Sequence, residues 1–213
     1  RYSLLELSQR VTSDLIFLGD DSMTAQVPDG YMYEGKEYSI IAMSKNINFN
    51  IEDFGIQPEY TCTACWRGCA IDYSIEDSKL LLKTIWISQS GSGYPDVNGV
   101  KVKKLEKRGI FSYVYKNVNM PIKYTGKIVI GCGFIDKYYI HMGFQEAWAY
   151  ETVLELIFRK GTLLDVVDHS DKVRKIREDI ETKESDTKEV NILASIHKSF
   201  SLNIEDKAWW LNE

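Results

Sequence analysis

Three of the four cysteines stand at Cys62, Cys65 and Cys69, a C-x2-C-x3-C spacing, with Cys132 much later in the chain. Structural zinc takes four Cys or His ligands in a tetrahedron, typically as two close pairs. One close pair is present here, so Cys132 or His141 would have to fold alongside it to complete a set. The spacing also differs from iron–sulfur runs. A redox C-x-x-C normally opens a helix, whose dipole lowers the thiol pKa, whereas this one leads into a strand. The expectation is therefore reduced core thiols, with no metal and no cofactor. A metal or thiol site at Cys62, Cys65 and Cys69 is kept as one enzymatic alternative. Of the three histidines, His141, amid Tyr138, Tyr139 and Phe144, is the best placed for a site. Gly91-Ser92-Gly93 lacks the Lys-Ser/Thr of a phosphate loop.

The stretch that must position the cysteines runs from Tyr60 to Ser88. Cys69, Ile71, Tyr73 and Ile75 alternate with Ala70, Asp72, Ser74 and Glu76, the period of two that gives a strand one apolar face. Glu76-Asp77-Ser78 is a polar turn. Leu80 to Ile87 then runs almost continuously apolar, which predicts a strand covered on both faces inside a sheet. A second hairpin is predicted at Tyr31–Tyr33, a turn at Glu34-Gly35-Lys36, then Glu37 to Met43. A third is predicted at Thr152–Arg159, a turn at Lys160-Gly161, then Thr162–Val167. Further strands are expected at Leu15–Leu18, Ile110–Tyr115 and Lys127–Phe134.

Helical spacing appears at both ends. Leu4, Leu5, Leu7 and Val11 make an N-terminal amphipathic stripe. Ser170 precedes Val173, Ile176 and Ile180, which share a face, and reads as a helix cap. Val190, Leu193, Ile196 and Phe200 suggest another helix before Trp209-Trp210. The predicted fold is α+β: a mostly antiparallel sheet, curled or a sandwich, with helices at the N- and C-termini. Residues 1–170 form the β-rich core with the N-terminal helix. Residues 171–213 form a helical segment packed on that core or on a partner.

The chain has 213 residues, 44% of them hydrophobic, enough for one good-sized core. Its net charge of −5 argues against a nucleic-acid backbone binder. The run Lys101 to Arg108 has five positive charges in eight residues and reads as a solvated face. No apolar run approaches the roughly 20 residues that span a bilayer. The first residues, RYSLLELSQR, lack a signal-peptide pattern. The expected setting is the cytoplasm, which keeps thiols reduced.

Leu15-Ile16-Phe17-Leu18-Gly19-Asp20-Asp21-Ser22 resembles the opening block of the SGNH/GDSL hydrolases, with an extra Asp before the serine. The resemblance implies Ser22 as nucleophile, activated by a late Asp-x-x-His. Asp165, Asp168 and His169 lie near each other, but no Asp stands three before a His. The segments Cys65-Trp66-Arg67-Gly68, Tyr124–Ile128 and Ile140–Gln145 resemble a set of uncharacterised bacterial proteins with CWRGY-type and VHMGF-type segments. That likeness spans roughly residues 30–170 and implies no activity. Here Cys69 follows Gly68, a departure from the pattern.

Without a complete catalytic set, the reading is a non-catalytic cytoplasmic protein-interaction module. It would be an immunity, antitoxin-like or accessory protein that binds another protein, or its own copy as a homo-oligomer. Its partner-binding residues are expected to be Trp66, Arg67, His141, Trp209 and Trp210, with Trp66 and Arg67 paired as a cation–π unit. The alternative is an enzyme, a hydrolase using Ser22 or a metal or thiol enzyme at the cysteines. Neither nucleic acid nor membrane is an expected partner.

Overall fold

A computed structural model describes residues 25–60, 62–88, 93–106, 109–183 and 198–212. The expected N-terminal helix, the strand before Gly19, Ser22 and most of the helix through Val190 lie outside the described residues. The three predicted hairpins are present. They are β1 (Gly30–Tyr33) with β2 (Lys36–Met43), β3 (Cys69–Glu76) with β4 (Lys79–Ile87), and, later in the chain, β8 (Tyr150–Arg159) with β9 (Thr162–Asp168). Between them come β5 (Lys103–Lys104), β6 (Tyr113–Pro121) and β7 (Gly126–Phe134). Helix α1 (Ser170–Lys183) follows β9, and a single turn, α2 (Ile204–Lys207), lies near the end.

The nine strands make one sheet in the order β3-β1-β2-β7-β8-β9-β4-β6-β5, and β3 also pairs with β4. The path from β3 through β1, β2, β7, β8 and β9 to β4 therefore returns to its start. The sheet is curled into a ring, and β6, with β5 beyond it, pairs along the edge of β4 that also meets β9. Closure between β9 and β4 is narrow: one residue pair, Lys79 with Thr162. Leu80 N–H bonding to Gly161 O and Leu163 N–H to Ser78 O, both at 2.8 Å, reinforce it. Among the described residues every strand pair is antiparallel except β1 with β3.

The apolar run of β4 has a different cause from the one its composition suggests. Register shifts where Asp72 and Tyr73 meet Thr84 and Leu82, leaving Lys83 as the extra residue. A bulge of this kind moves the inward parity by one. Leu80 and Leu82 point into the ring before it, Ile85 and Ile87 after it. The outer residues Leu81, Lys83, Thr84 and Trp86 are only half-buried. Continuous apolarity here records a slip in alternation, with one fully buried face.

Three apolar clusters result. The ring interior holds Ile40, Tyr73, Leu82, Ile85, Ile130, Leu156 and their neighbours. On the outer face of β2, β7 and β8, Ile41, Val129 and Val153 are covered by Val173 of α1 and by Ile204, Ala208 and Trp210. The third cluster packs Val27, Cys65 and Phe111 over Ala70 and Trp86. Ser170 is the first residue of α1. Its hydroxyl accepts the Val153 N–H at 3.1 Å and donates to Asp168, so it fastens the start of α1 to β8.

Beneath the second cluster, Glu155 is buried on the outer face of β8. Lys127 reaches one carboxylate oxygen at 2.6 Å and His169 the other at 2.8 Å, and His169 meets the Trp210 ring edge-on at 5.2 Å. Burial alone would raise the Glu155 pKa, but the hydrogen bonds and charges of Lys127 and His169 outweigh it. The net value lies below the ordinary 4.5. A depressed carboxyl adds stability above its unfolded pKa and loses it as pH falls through the folded value. The stability gap between wild type and Glu155→Gln is thus expected to be full at neutral pH and to shrink below about pH 4.5. Urea unfolding midpoints at about pH 7 and 3.5 check this; a gap independent of pH would contradict it.

Candidate partner-binding cleft

Asp29 sets the geometry of the site. It lies just before β1, 5% exposed, with its backbone carbonyl accepting the Ile40 N–H at 2.8 Å. Its carboxylate takes Arg67 in a two-pronged grip, Nη1 to Oδ2 at 3.0 Å and Nη2 to Oδ1 at 2.9 Å. Oδ1 also accepts the Ile71 N–H at 3.0 Å. Burial works against the guanidinium charge, yet Asp29 more than offsets it and holds the Arg67 pKa above the ordinary arginine value. One carboxylate thereby joins the start of β1 to β3 and to the loop that precedes it. At the next residue, Gly30, a β-carbon would stand 2.3 Å from Asp72 Oδ1, so that carboxylate would have to shift to admit one.

Residues 25–29 run between two loops that are far apart in sequence. Gln26 N–H donates to Gly143 O at 2.8 Å, while its side-chain amide donates to Thr63 O at 2.7 Å and accepts Trp66 N–H at 3.0 Å. The Cys65–Gly68 segment and the Ile140–Gln145 segment are thus held on either side of one short chain. Arg67 passes over the Phe144 ring at 5.9 Å from its centroid. Trp66 stacks on Phe200, with centroids 4.5 Å apart and planes 15° from parallel. The expected Trp66–Arg67 cation–π unit is replaced by these two contacts, because neighbours on a tight turn face different ways. Between them opens a cleft of about 300 Å³ lined by Gln26, Asn46, Trp66, Arg67, Phe144, Phe200 and Leu202. Trp66 remains 45% exposed and the Arg67 side chain 38%.

The far wall is the C-terminal segment. Phe144 N–H bonds to Ser199 O and Met43 N–H to Leu202 O, each at 2.6 Å. Gly143 has φ +77, and a β-carbon there would fall 2.1 Å from the Ser199 carbonyl oxygen. Glycine is what lets the two backbones touch. Beyond the wall, the fully buried Lys207 ammonium bonds to Glu146 at 2.6 Å and to Phe144 O at 2.9 Å. Burial raises the Glu146 pKa above the ordinary 4.5, with Lys207 pulling the other way.

The other predicted residues disperse. Trp209 is exposed, but Trp210 is fully buried in the second cluster, with the Lys172 ammonium on its carbonyl. Adjacent residues on a short helical turn point apart, so only one of the pair faces outward. His141 is exposed, edge-on to Tyr139 at 5.0 Å, in the same irregular loop as Phe144. Cys69 faces the ring interior while Cys62 and Cys65 pack in the third cluster, on the other side of the sheet. Burial pushes the Cys65 and Cys69 thiols up to about 11, which keeps them protonated at neutral pH. Among the described residues, no group of three or more His, Cys, Asp or Glu side chains is placed to hold a metal ion. His169 is engaged by Glu155 and Asp168 by Ser170, so these two do not form the acid–base pair of the hydrolase pattern.

Sequence reasoning missed Gln26, Asn46, Phe200 and Leu202 as cleft residues and Asp29 as the partner of Arg67. Pro28-Asp29-Gly30 carries a turn signal, but nothing local points to Arg67. Compared with protein-family models, with curated proteins and with solved structures, the chain matches none.

The clamp makes a direct prediction. Arg67→Met leaves the Asp29 carboxylate buried without its cation and is expected to cost about 1–3 kcal/mol in urea unfolding. Arg67→Lys recovers only part of this, because an ammonium cannot reproduce the two parallel bonds of the guanidinium. Full recovery by lysine would show that charge alone matters.

Proposed function

We propose that this chain is a non-catalytic protein-interaction module of the immunity, antitoxin-like or accessory kind, which engages another protein through the Trp66–Arg67–Phe144 cleft. The observation that supports the reading is convergence. Three segments distant in sequence bring Trp66, Arg67, Phe144 and Phe200 around one cleft, and the tryptophan stays half-exposed. Tryptophan and arginine are the side chains most enriched among residues that dominate binding energy. Their backbone supports are built with care: Gly68 (φ +65) and Gly143 (φ +77) both lie where a β-carbon would strike a neighbouring carbonyl. The acidic balance favours a protein over a nucleic-acid partner. Among the described residues no helix is long and apolar enough to cross a membrane. The cytoplasm remains the proposed setting.

Trp66→Ala is the decisive variant. It removes one exposed aromatic contact, worth roughly 0.5–1.5 kcal/mol, so the melting temperature is expected to fall by only a few degrees. Binding should suffer more: truncating a central tryptophan costs about 2 kcal/mol or more, close to a thirtyfold loss of affinity. Wild type and Trp66→Ala are to be compared side by side as baits in a lysate of the source cells. A protein held by wild type and lost by the variant is the expected result. Identical capture by both would remove the cleft from the reading.

A further inference from the structure

We infer that Cys62 and Cys65 are a dithiol that a small disulfide such as oxidised glutathione converts to an intramolecular disulfide, and that this bond stiffens the loop carrying Trp66 and Arg67. The inference concerns the chemistry of the loop and stands whether or not a partner binds the cleft.

The backbone already holds the pair at bonding range. Cys65 N–H bonds to Cys62 O at 3.2 Å, so residues 62–65 close a four-residue turn. Such a turn keeps its end Cα atoms within about 7 Å, and a disulfide spans about 4.4–6.8 Å between Cα atoms. A second turn follows at once, Gly68 N–H bonding to Cys65 O at 3.1 Å, with Trp66 and Arg67 as its central residues. Cys65 therefore ends the first turn and begins the second. Cys62 and Cys65 share the third apolar cluster, whereas Cys69 faces the ring interior. Oxidation gives up one weak bond, from the Cys65 thiol to Cys69 O at 3.4 Å.

The two thiols differ in the way the reaction needs. Cys62 is partly exposed and Cys65 is buried. The Cys62 thiolate attacks one sulfur of the glutathione disulfide and expels a glutathione thiolate, leaving a mixed disulfide. Cys65 then loses its proton and attacks the Cys62 sulfur, expelling the second glutathione thiolate. Two protein thiols and one glutathione disulfide become one protein disulfide and two glutathiones, which take up both protons. The burial that pushes the Cys65 thiol up to about 11 slows the second step. It also leaves no stabilised thiolate to favour the reduced form.

The bond would lock the seam of the cleft. Between the two cysteines, Thr63 O accepts the Gln26 side-chain amide and Ala64 O accepts Val27 N–H, and just beyond them Trp66 N–H bonds to Gln26 Oε1. Opening this seam by unravelling the turn is what a cross-link over four residues restricts.

The test incubates the full chain with oxidised glutathione, quenches it with N-ethylmaleimide in denaturant and digests it with trypsin. Cleavage after Arg67 separates residues 46–67, which hold Cys62 and Cys65, from residues 68–79, which hold Cys69. The expected result is peptide 46–67 lighter by two hydrogens and unalkylated, with Cys69 and Cys132 alkylated. Cys65→Ser should stop at glutathione on Cys62, and Cys62→Ser should leave Cys65 free. No oxidation, glutathione retained on wild-type Cys62, or a cross-link between the two peptides would overturn the inference. Should a variant not fold, the wild-type map decides alone. In the oxidised protein, amide hydrogen exchange at Val27 and Trp66 should slow on the order of tenfold, and unchanged exchange would overturn the stiffening.

Discussion

A buried carboxylate must find its counter-charge, and in this protein that requirement falls on Asp29. An ion removed from water costs several kcal/mol unless cation and hydrogen bonds replace the solvent. Asp29 meets it with the Arg67 guanidinium and the Ile71 N–H. The consequence reaches beyond the pair. Because Arg67 must come to Asp29, the loop from Cys62 to Gly68 is drawn over the start of β1, and Trp66 is turned outward beside Phe144. The only parallel strand pair among the described residues, β1 with β3, sits at this junction. The parallel pairing, the clamp and the cleft meet at one place in the fold.

The C-terminal end is governed by a similar device with different effect. Lys207 is wholly buried and held by Glu146 and a backbone carbonyl. Such pairs add little net stability over an apolar packing, but they penalise any arrangement that leaves one partner alone. Trp210 provides the apolar area that the pair lacks, filling the outer face of β2, β7 and β8. Position comes from the charges and adhesion from the ring. Just before this anchored end, the wall of the cleft is held by backbone bonds, the Phe200–Trp66 stack and the packing of Leu202 on the ring interior.

Local pattern carried the hairpins. β1–β2, β3–β4 and β8–β9 were legible because period-two alternation and polar turns act within a few residues. The bulge at Lys83 was not, because an apolar run fits both a doubly covered strand and a strand that changes parity. β6 was placed too early, ending at Tyr115 where the structure continues to Pro121. The short segments around Trp66 and Phe144 were visible as segments, and their glycines now have a steric reason. What joins them was invisible: Gln26 to Gly143, Arg67 to Asp29 and Phe144 to Ser199 are all long-range contacts with no periodic signature. Trp209 and Trp210 read alike in sequence, and only the orientation of one helical turn separates surface from core.

The ring also imposes an order on the chain's birth. β2 pairs on one side with β1, made just before it, but on the other with β7, roughly 90 residues later. At translation rates of about 5–20 residues per second, that edge, with Ile40, Ile41 and Ala42 along it, waits roughly 5–20 s for its partner. An apolar strand edge left bare is a template for wrong pairing with another nascent chain. The first hairpin among the described residues is therefore completed only after β3, β4 and β6 have been made, and crowding of ribosomes on one message is where this edge is most vulnerable.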